Sequence, residues 1–315
     1  MKQHITTLEE FNERQNHDSV IFDGSKFFQK RNFSGRKFTN CDFDGLDMVK
    51  SVFNGSNLEN CSLVKTNLVG ADFTDASLFK SNCTDGDFTK AKLLRANLKK
   101  GIFDKSIFKG ANLTGANFRD ASLISADFTK ANLSLTFFTN AQLMKAEFVN
   151  ANLSGTKITD ANSRGANFTG AKLKKSILAG STFKDACFKQ ADLTNADVRK
   201  TQFINADFTD ANFTGANFTG ADLTGANFTG ATVKKALFTG ANLTGVIGLD
   251  LLVNRPKQSP KNKKTKTDEH HKRCTNGTQK NEKTGKCDIK DENKTKRCPS
   301  GLRRNKETGN CEPKT

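Results

Sequence analysis

A hydrophobic residue returns at every fifth position from Phe28 to Leu243 with a single exception. Of these 44 centres, 22 are Phe and 16 are Leu; the others are Met48, Cys83, Ile158, Ser163, Val198 and Val233, so only Ser163 is polar. Two residues before each centre the chain is small, being Ala, Ser, Thr, Cys or Gly at every such site from Cys41 to Ala241 except Leu46. The consensus reads Ala-Asn/Asp-Phe/Leu-Thr-Gly. A period of five suits neither a helix at 3.6 nor a strand at 2, so each unit must join a short extended piece to a turn. Residues two apart point to the same side of an extended segment, which places the small residue and the centre inward and Asn/Asp outward between them. Thr-Gly then forms the corner, where glycine tolerates positive φ.

The composition agrees with a core built along one dimension. The chain of 315 residues holds 27 Phe but neither Trp nor Tyr, and 35% of its residues are apolar. That repertoire is too narrow for the mixed packing of an ordinary domain. On the strength of blocks such as 206–230, ADFTDANFTGANFTGADLTGANFTG, residues 26–245 closely resemble the pentapeptide-repeat family. The resemblance implies an all-β fold, a right-handed quadrilateral parallel β-helix. With four units to a coil, residues 20 apart should stack. Phe88, Phe108, Phe128, Phe148, Phe168, Phe188, Phe208 and Phe228 then form one inward column, and Leu93 to Leu193 at the same step form the next. The 44 units would make eleven coils, about 50 Å long at ~4.8 Å per laddered strand. No unit can stand alone, since one buried centre contributes roughly 1.5–3 kcal/mol while ordering each residue costs about 1–2.

The flanks read as covers for the exposed sheet edges of such a solenoid. Residues 1–25 are expected to cap one end, with Thr6 or Thr7 starting a helix over 5–15 that carries Leu8 and Phe11. Residues 246–253 concentrate Val246, Ile247, Leu249, Leu251, Leu252 and Val253, and read either as a hydrophobic cap or as a homodimer interface at the solenoid end. The opening MKQHITTLEE has no continuous apolar stretch, and nothing later approaches the ~20 apolar residues of a membrane span. The expectation is an intracellular, cytoplasmic chain without membrane insertion.

From residue 254 onward the only large aliphatic residues are Ile289 and Leu302, too few for a hydrophobic core. This tail holds 19 Lys+Arg against 8 Asp+Glu, which is +11 of the chain's +17. Residues 273–287, RCTNGTQKNEKTGKC, align with 297–311, RCPSGLRRNKETGNC, so the tail contains two copies of one basic C-x12-C module. Three readings of Cys274, Cys287, Cys298 and Cys311 stay open: two disulfides within the copies, each worth roughly 3 kcal/mol, a zinc site completed by His270 and His271, or free thiols. The second copy resembles short basic cysteine modules on proteins of large nucleocytoplasmic DNA viruses, which implies a giant-virus, virion-associated protein; the first copy departs from that pattern at Thr275 and Gln279. Elsewhere, Cys41, Cys61 and Cys83 fall on inward positions and Cys187 on an outward one.

Chemistry is hard to place on such a chain. All four histidines, His4, His17, His270 and His271, lie outside the repeats, and no phosphate loop, nucleophile elbow or H-E-x-x-H motif occurs. The expectation is a non-enzymatic protein without cofactor or metal. The best-known activity of the resembled family is topoisomerase modulation by an acidic DNA mimic, but residues 26–253 carry 29 Lys+Arg and 20 Asp+Glu, the wrong sign for mimicry. One coil stands out, with Lys90, Lys92, Arg95, Lys99, Lys100, Lys105 and Lys109 against Asp104; it is either an anion-binding ring or a solvated face. In the tail, Lys261, Lys263, Lys264, Lys266, Lys272, Arg273, Arg303 and Arg304 are candidate phosphate partners. Without aromatic side chains there, nucleic-acid binding would be non-specific. The leading expectation is therefore a structural scaffold with a protein partner, and the alternative is a nucleic-acid packaging accessory.

Overall fold

The computed structural model describes residues 3–5, 18–22 and 28–249, together with four short strands of the C-terminal region. The chain divides into two compact units, Met1–Lys257 and Gln258–Thr315. In the first, most units make the same four backbone bonds. Phe128 N donates to Glu147 O of the next coil at 2.7 Å, Asp127 N donates to Ser106 O of the previous coil at 2.9 Å, and the corner residue Lys130 N donates forward to Val149 O at 2.9 Å. A fourth bond, Ala131 N to Phe128 O at 2.9 Å, closes the turn. The parallel ladder pairs each outward residue with the one 20 positions later, from Asn32↔Val52 to Asn227↔Ile247. Four five-residue units therefore complete one coil.

The corners are more demanding than the sequence suggests. All 44 corner residues from Lys30 to Gly245 have positive φ, and 28 of them are not glycine. The turn bond combined with positive φ at the second central residue is the signature of a type II turn. A non-glycine residue there costs roughly 1–2 kcal/mol. The cost is met because the surrounding bonds leave the corner no other conformation.

The ladder extends past residue 26 toward the N-terminus. Strand β2 (Val20–Phe22) buries Val20 and Phe22 and bridges Ile21 to Asp42, an offset of 21 that accommodates one extra residue. Strand β1 (Gln3–Ile5) pairs with β2 in parallel. Of the helix expected over 5–15, only Ile5 lies within the described residues, and it ends β1. At the other end Val246 and Leu249 pack against the core while Ile247, still in the ladder, is 57% exposed; Leu251, Leu252 and Val253 lie outside the described residues.

Inside, the centres are buried and the rings are ordered in two directions. Along the axis, the column from Phe88 to Phe228 places successive ring centroids 4.6 to 5.4 Å apart. Within a coil, neighbouring rings meet edge to face, as Phe118 does with Phe128 at 6.0 Å and 82°. Both arrangements suit the ring quadrupole. Serine and threonine at the small inward position donate to a turn carbonyl: Thr136 Oγ1 bonds Leu113 O at 2.9 Å and Ser106 Oγ bonds Cys83 O at 2.7 Å. Ser181 goes further, donating to Ile158 O while accepting from Ala161 N at 3.0 Å, so its hydroxyl stands inside a turn that elsewhere closes on itself. Among the described residues, Ser163 is the one buried polar side chain without a hydrogen-bond partner.

Two substitutions test this core. Phe128→Ala should cost about 3–5 kcal/mol by opening a cavity in the ring column; a loss under about 1 kcal/mol in denaturant titration would show the column to be wrong. Ser163→Leu should leave stability unchanged or raise it by about 1–3 kcal/mol, because it removes an unsatisfied hydroxyl. A large loss would reveal a bond that the hydroxyl needs.

Candidate interaction surface

The consensus Asn/Asp-x-Thr is a hydrogen-bonded bracket around each centre. In Asp222 the Oδ1 atom accepts Thr224 N at 3.0 Å and Thr224 Oγ1 at 2.6 Å, and Asn217 holds Thr219 in the same way. This is an Asx-type turn built on a short side chain. Asparagine adds a bond between coils, from Asn242 Nδ2 to Thr224 Oγ1 at 2.9 Å and from Asn227 Nδ2 to Thr209 Oγ1 at 3.1 Å. Aspartate instead attracts a lysine 18 residues earlier: Lys109–Asp127 at 3.1 Å, Lys174–Asp192 at 3.2 Å and Lys189–Asp207 at 3.2 Å. Burial raises the pKa of Asp127, Asp192 and Asp207. The threonine hydroxyl, the threonine N–H and the lysine outweigh it, so all three fall below the ordinary 3.8.

The basic coil is spread around all four sides and is largely neutralised. Lys92 pairs with Asp72 at 3.5 Å, Lys99 with Asp120 at 3.8 Å and Lys109 with Asp127 at 3.1 Å. Arg95 grips Asp75 with two bonds, Nε to Oδ1 at 2.7 Å and Nη2 to Oδ2 at 2.6 Å, which lowers the Asp75 pKa and raises that of Arg95. Lys90, Lys100 and Lys105 stand at corners and have no carboxylate within 4.0 Å among the described residues. The +6 of the isolated segment thus shrinks, because its counter-charges come from the coils on either side.

In the second unit the duplication seen in the sequence is repeated in the backbone. Strands β3 (Thr278–Lys280) and β4 (Cys287–Ile289) form one antiparallel hairpin, and β5 (Leu302–Arg304) and β6 (Cys311–Pro313) form another. The registers match: Lys280 pairs with Cys287, and Arg304 with Cys311. Cys287, Cys311, Arg303 and Arg304 are therefore on strands. Cys274, Cys298, Lys261, Lys263, Lys264, Lys266, Lys272, Arg273, His270 and His271 lie outside the described residues.

Two family models, described as pentapeptide repeats and as a pentapeptide repeat region, together match residues 32–93 and 101–245. The chain belongs to the pentapeptide-repeat family. Among solved structures this pentapeptide-repeat protein is similar to HetL, described as involved in heterocyst differentiation regulation in the cyanobacterium Nostoc. The two are 23% identical over 78% of this chain and 97% of that one, with a TM-score of 0.23. A trypsin-treated form of QnrB1, a plasmid-mediated fluoroquinolone resistance protein, is 22% identical over 52% of this chain and 85% of that one, with a TM-score of 0.39. A pentapeptide repeat protein of the Arabidopsis thaliana thylakoid lumen is 28% identical over 38% and 67%, at 0.20. No curated protein matches the chain.

The thiols of this pentapeptide-repeat protein divide by burial. Cys41, Cys61 and Cys83 are buried. Burial pushes the Cys83 thiol up to about 12 and raises that of Cys61, whose Sγ bonds Phe38 O. Such thiols do not ionise and are chemically quiet. Cys187 is half-buried beside Thr169 Oγ1 at 3.3 Å. No helix among the described residues is long and apolar enough to cross a membrane. Among those residues, no group of three or more His, Cys, Asp or Glu could hold a metal ion.

The bracketed aspartates predict a pH dependence. Their lowered pKa values mean that they stabilise the fold fully above the ordinary carboxylate range, and that this stability is lost as pH falls through their folded values. Melting temperature should be level from pH 7 to 5 and fall below about 4. Asp207→Asn keeps the bracket but removes the titrating group, so its acid-side fall should be smaller than in the parent. Identical curves would show that the Lys189–Asp207 pair contributes nothing.

Proposed function

We propose that this protein is a non-enzymatic scaffold whose solenoid presents side chains to protein partners at a fixed spacing. The observation that carries this reading is the unbroken 20-residue register of the ladder from Asn32 to Ile247. It sets outward residues in straight columns without an insertion that would build a cleft, and most consensus polar groups are occupied in brackets between coils. The basic tail adds a second, separately folded attachment point of two hairpins. Disulfides from Cys274 to Cys287 and from Cys298 to Cys311 are the reading of the tail cysteines that suits a stable attachment point. The likeness of residues 298–311 to modules of large DNA virus proteins makes a virion component the natural setting. The net positive charge of residues 26–253, with 29 Lys+Arg against 20 Asp+Glu, speaks against action as a DNA mimic here.

A salt series with duplex DNA tests this against the packaging alternative. The full chain is compared with a variant in which Lys261, Lys263, Lys264 and Lys266 are replaced by Gln. The scaffold reading expects no binding tighter than about 1 μM at physiological salt. Much tighter binding, with a log–log salt slope that drops by about 0.9 for each lysine removed, would make the tail a nucleic-acid anchor and overturn the scaffold reading.

A further inference from the structure

Leu135 is the one apolar residue among the 44 corners; every other corner is Gly, Lys, Asn, Asp, Arg, Gln or Ser. It is held at φ 60° and is 59% exposed. A branched aliphatic side chain gains nothing for the fold in that position: the left-handed backbone disfavours it, and water surrounds it. Its side chain lies over the corresponding corner of the next coil, with Cδ2 2.9 Å from where a Cβ on Gly155 would sit. Two residues on, Phe137 occupies an outward position that is normally Asn or Asp, and it is half-buried. Arg119, from the coil before, lays its guanidinium over the Phe137 ring at 4.2 Å and is steadied by Asn117 Oδ1 at 3.3 Å. Lys157, from the coil after, places Nζ 5.6 Å from the same ring. Ile177 follows Lys157 in the same ladder column.

The cations of this spot sit against a ring, where four of those in the basic coil sit against a carboxylate. Lys92, Arg95, Lys99 and Lys109 each have an aspartate within 4.0 Å, whereas among the described residues neither Arg119 nor Lys157 does. Both cations are instead held by an aromatic face, which keeps them in place without cancelling their charge. Exposed Leu135 and half-buried Phe137 and Ile177 beside two cations that have no carboxylate partner among the described residues form the kind of anchor that protein interfaces concentrate, with Arg and aromatic residues at the centre.

We propose that Arg119, Leu135, Phe137, Lys157 and Ile177 form a docking spot for a protein segment that carries carboxylates next to apolar side chains. The proposal deepens the scaffold reading and rests on it. A second copy of this chain is a poor occupant, because the chain carries +17 and would be repelled. Nucleic acid is disfavoured as well, since Leu135 and Ile177 offer nothing to phosphate and the ring that would stack on a base is already covered by Arg119.

The test uses the full chain and two double variants that restore residues common at these positions: Leu135→Gly with Phe137→Asn, and Arg119→Thr with Lys157→Asn. Fluorescein-labelled peptides of alternating Glu and Leu, and of Glu alone, are titrated by anisotropy, with labelled oligo-dT as a third probe. Both variants should keep the parent's melting temperature or exceed it. Each should weaken the Glu/Leu peptide at least tenfold while changing the all-Glu peptide, which reports on the tail, by less than twofold. Equal affinity of parent and variants for the Glu/Leu peptide would overturn the docking spot and leave the scaffold reading standing. A tenfold loss confined to oligo-dT would overturn both, by making this face a nucleic-acid surface.

Discussion

The backbone hydrogen bonds between coils set nearly every other dimension of the solenoid. They fix the rise per coil at the separation of laddered strands, about 4.8 Å. A stack of phenylalanine rings must then repeat at that interval, and the centroids in the Phe88–Phe228 column do so at 4.6 to 5.4 Å. The same bonds engage the N–H of 27 of the 28 non-glycine corners held at positive φ, all but Lys235 in the last coil. Ordinary local preference would reject those corners, but a corner here has its own N–H committed to the next coil, so relaxing it would break the ladder.

This economy explains why the surface says so little about function at first sight. Outward Asn, Asp and Thr are turned to structural work, in brackets around the centres and in bonds between coils. Positions that follow the repeat therefore report on the fold. A leucine at a strained corner and an aromatic ring between two cations stand out against so regular a background.

Much of the interior was legible because a single period encodes it. Alternation of small and large residues places both inward, and both are buried in the fold. The surface was less legible. The segment 90–109 reads as a concentrated positive ring, yet Asp72, Asp75, Asp120 and Asp127 answer four of its seven cations from adjacent coils. Thr-Gly reads as the corner chemistry, yet lysine and aspartate adopt the same conformation as glycine there. Residues 1–25 read as a cap, while Val20–Phe22 in fact joins the ladder through an offset of 21, which a search for a period of five passes over.

The sequence by itself determined the repeat, the inward columns, the family and the twofold tail module, because each is a relation between residues close in the chain or at one fixed step. The tertiary structure alone decided which charges are cancelled, which hydroxyl is left unsatisfied and which side chains meet on the surface. Those outcomes depend on pairs 18, 20 or 23 residues apart. Such pairs touch only after the coils have stacked, when two outward positions on different units come within reach of one another and the spacing along the chain ceases to be the distance that matters.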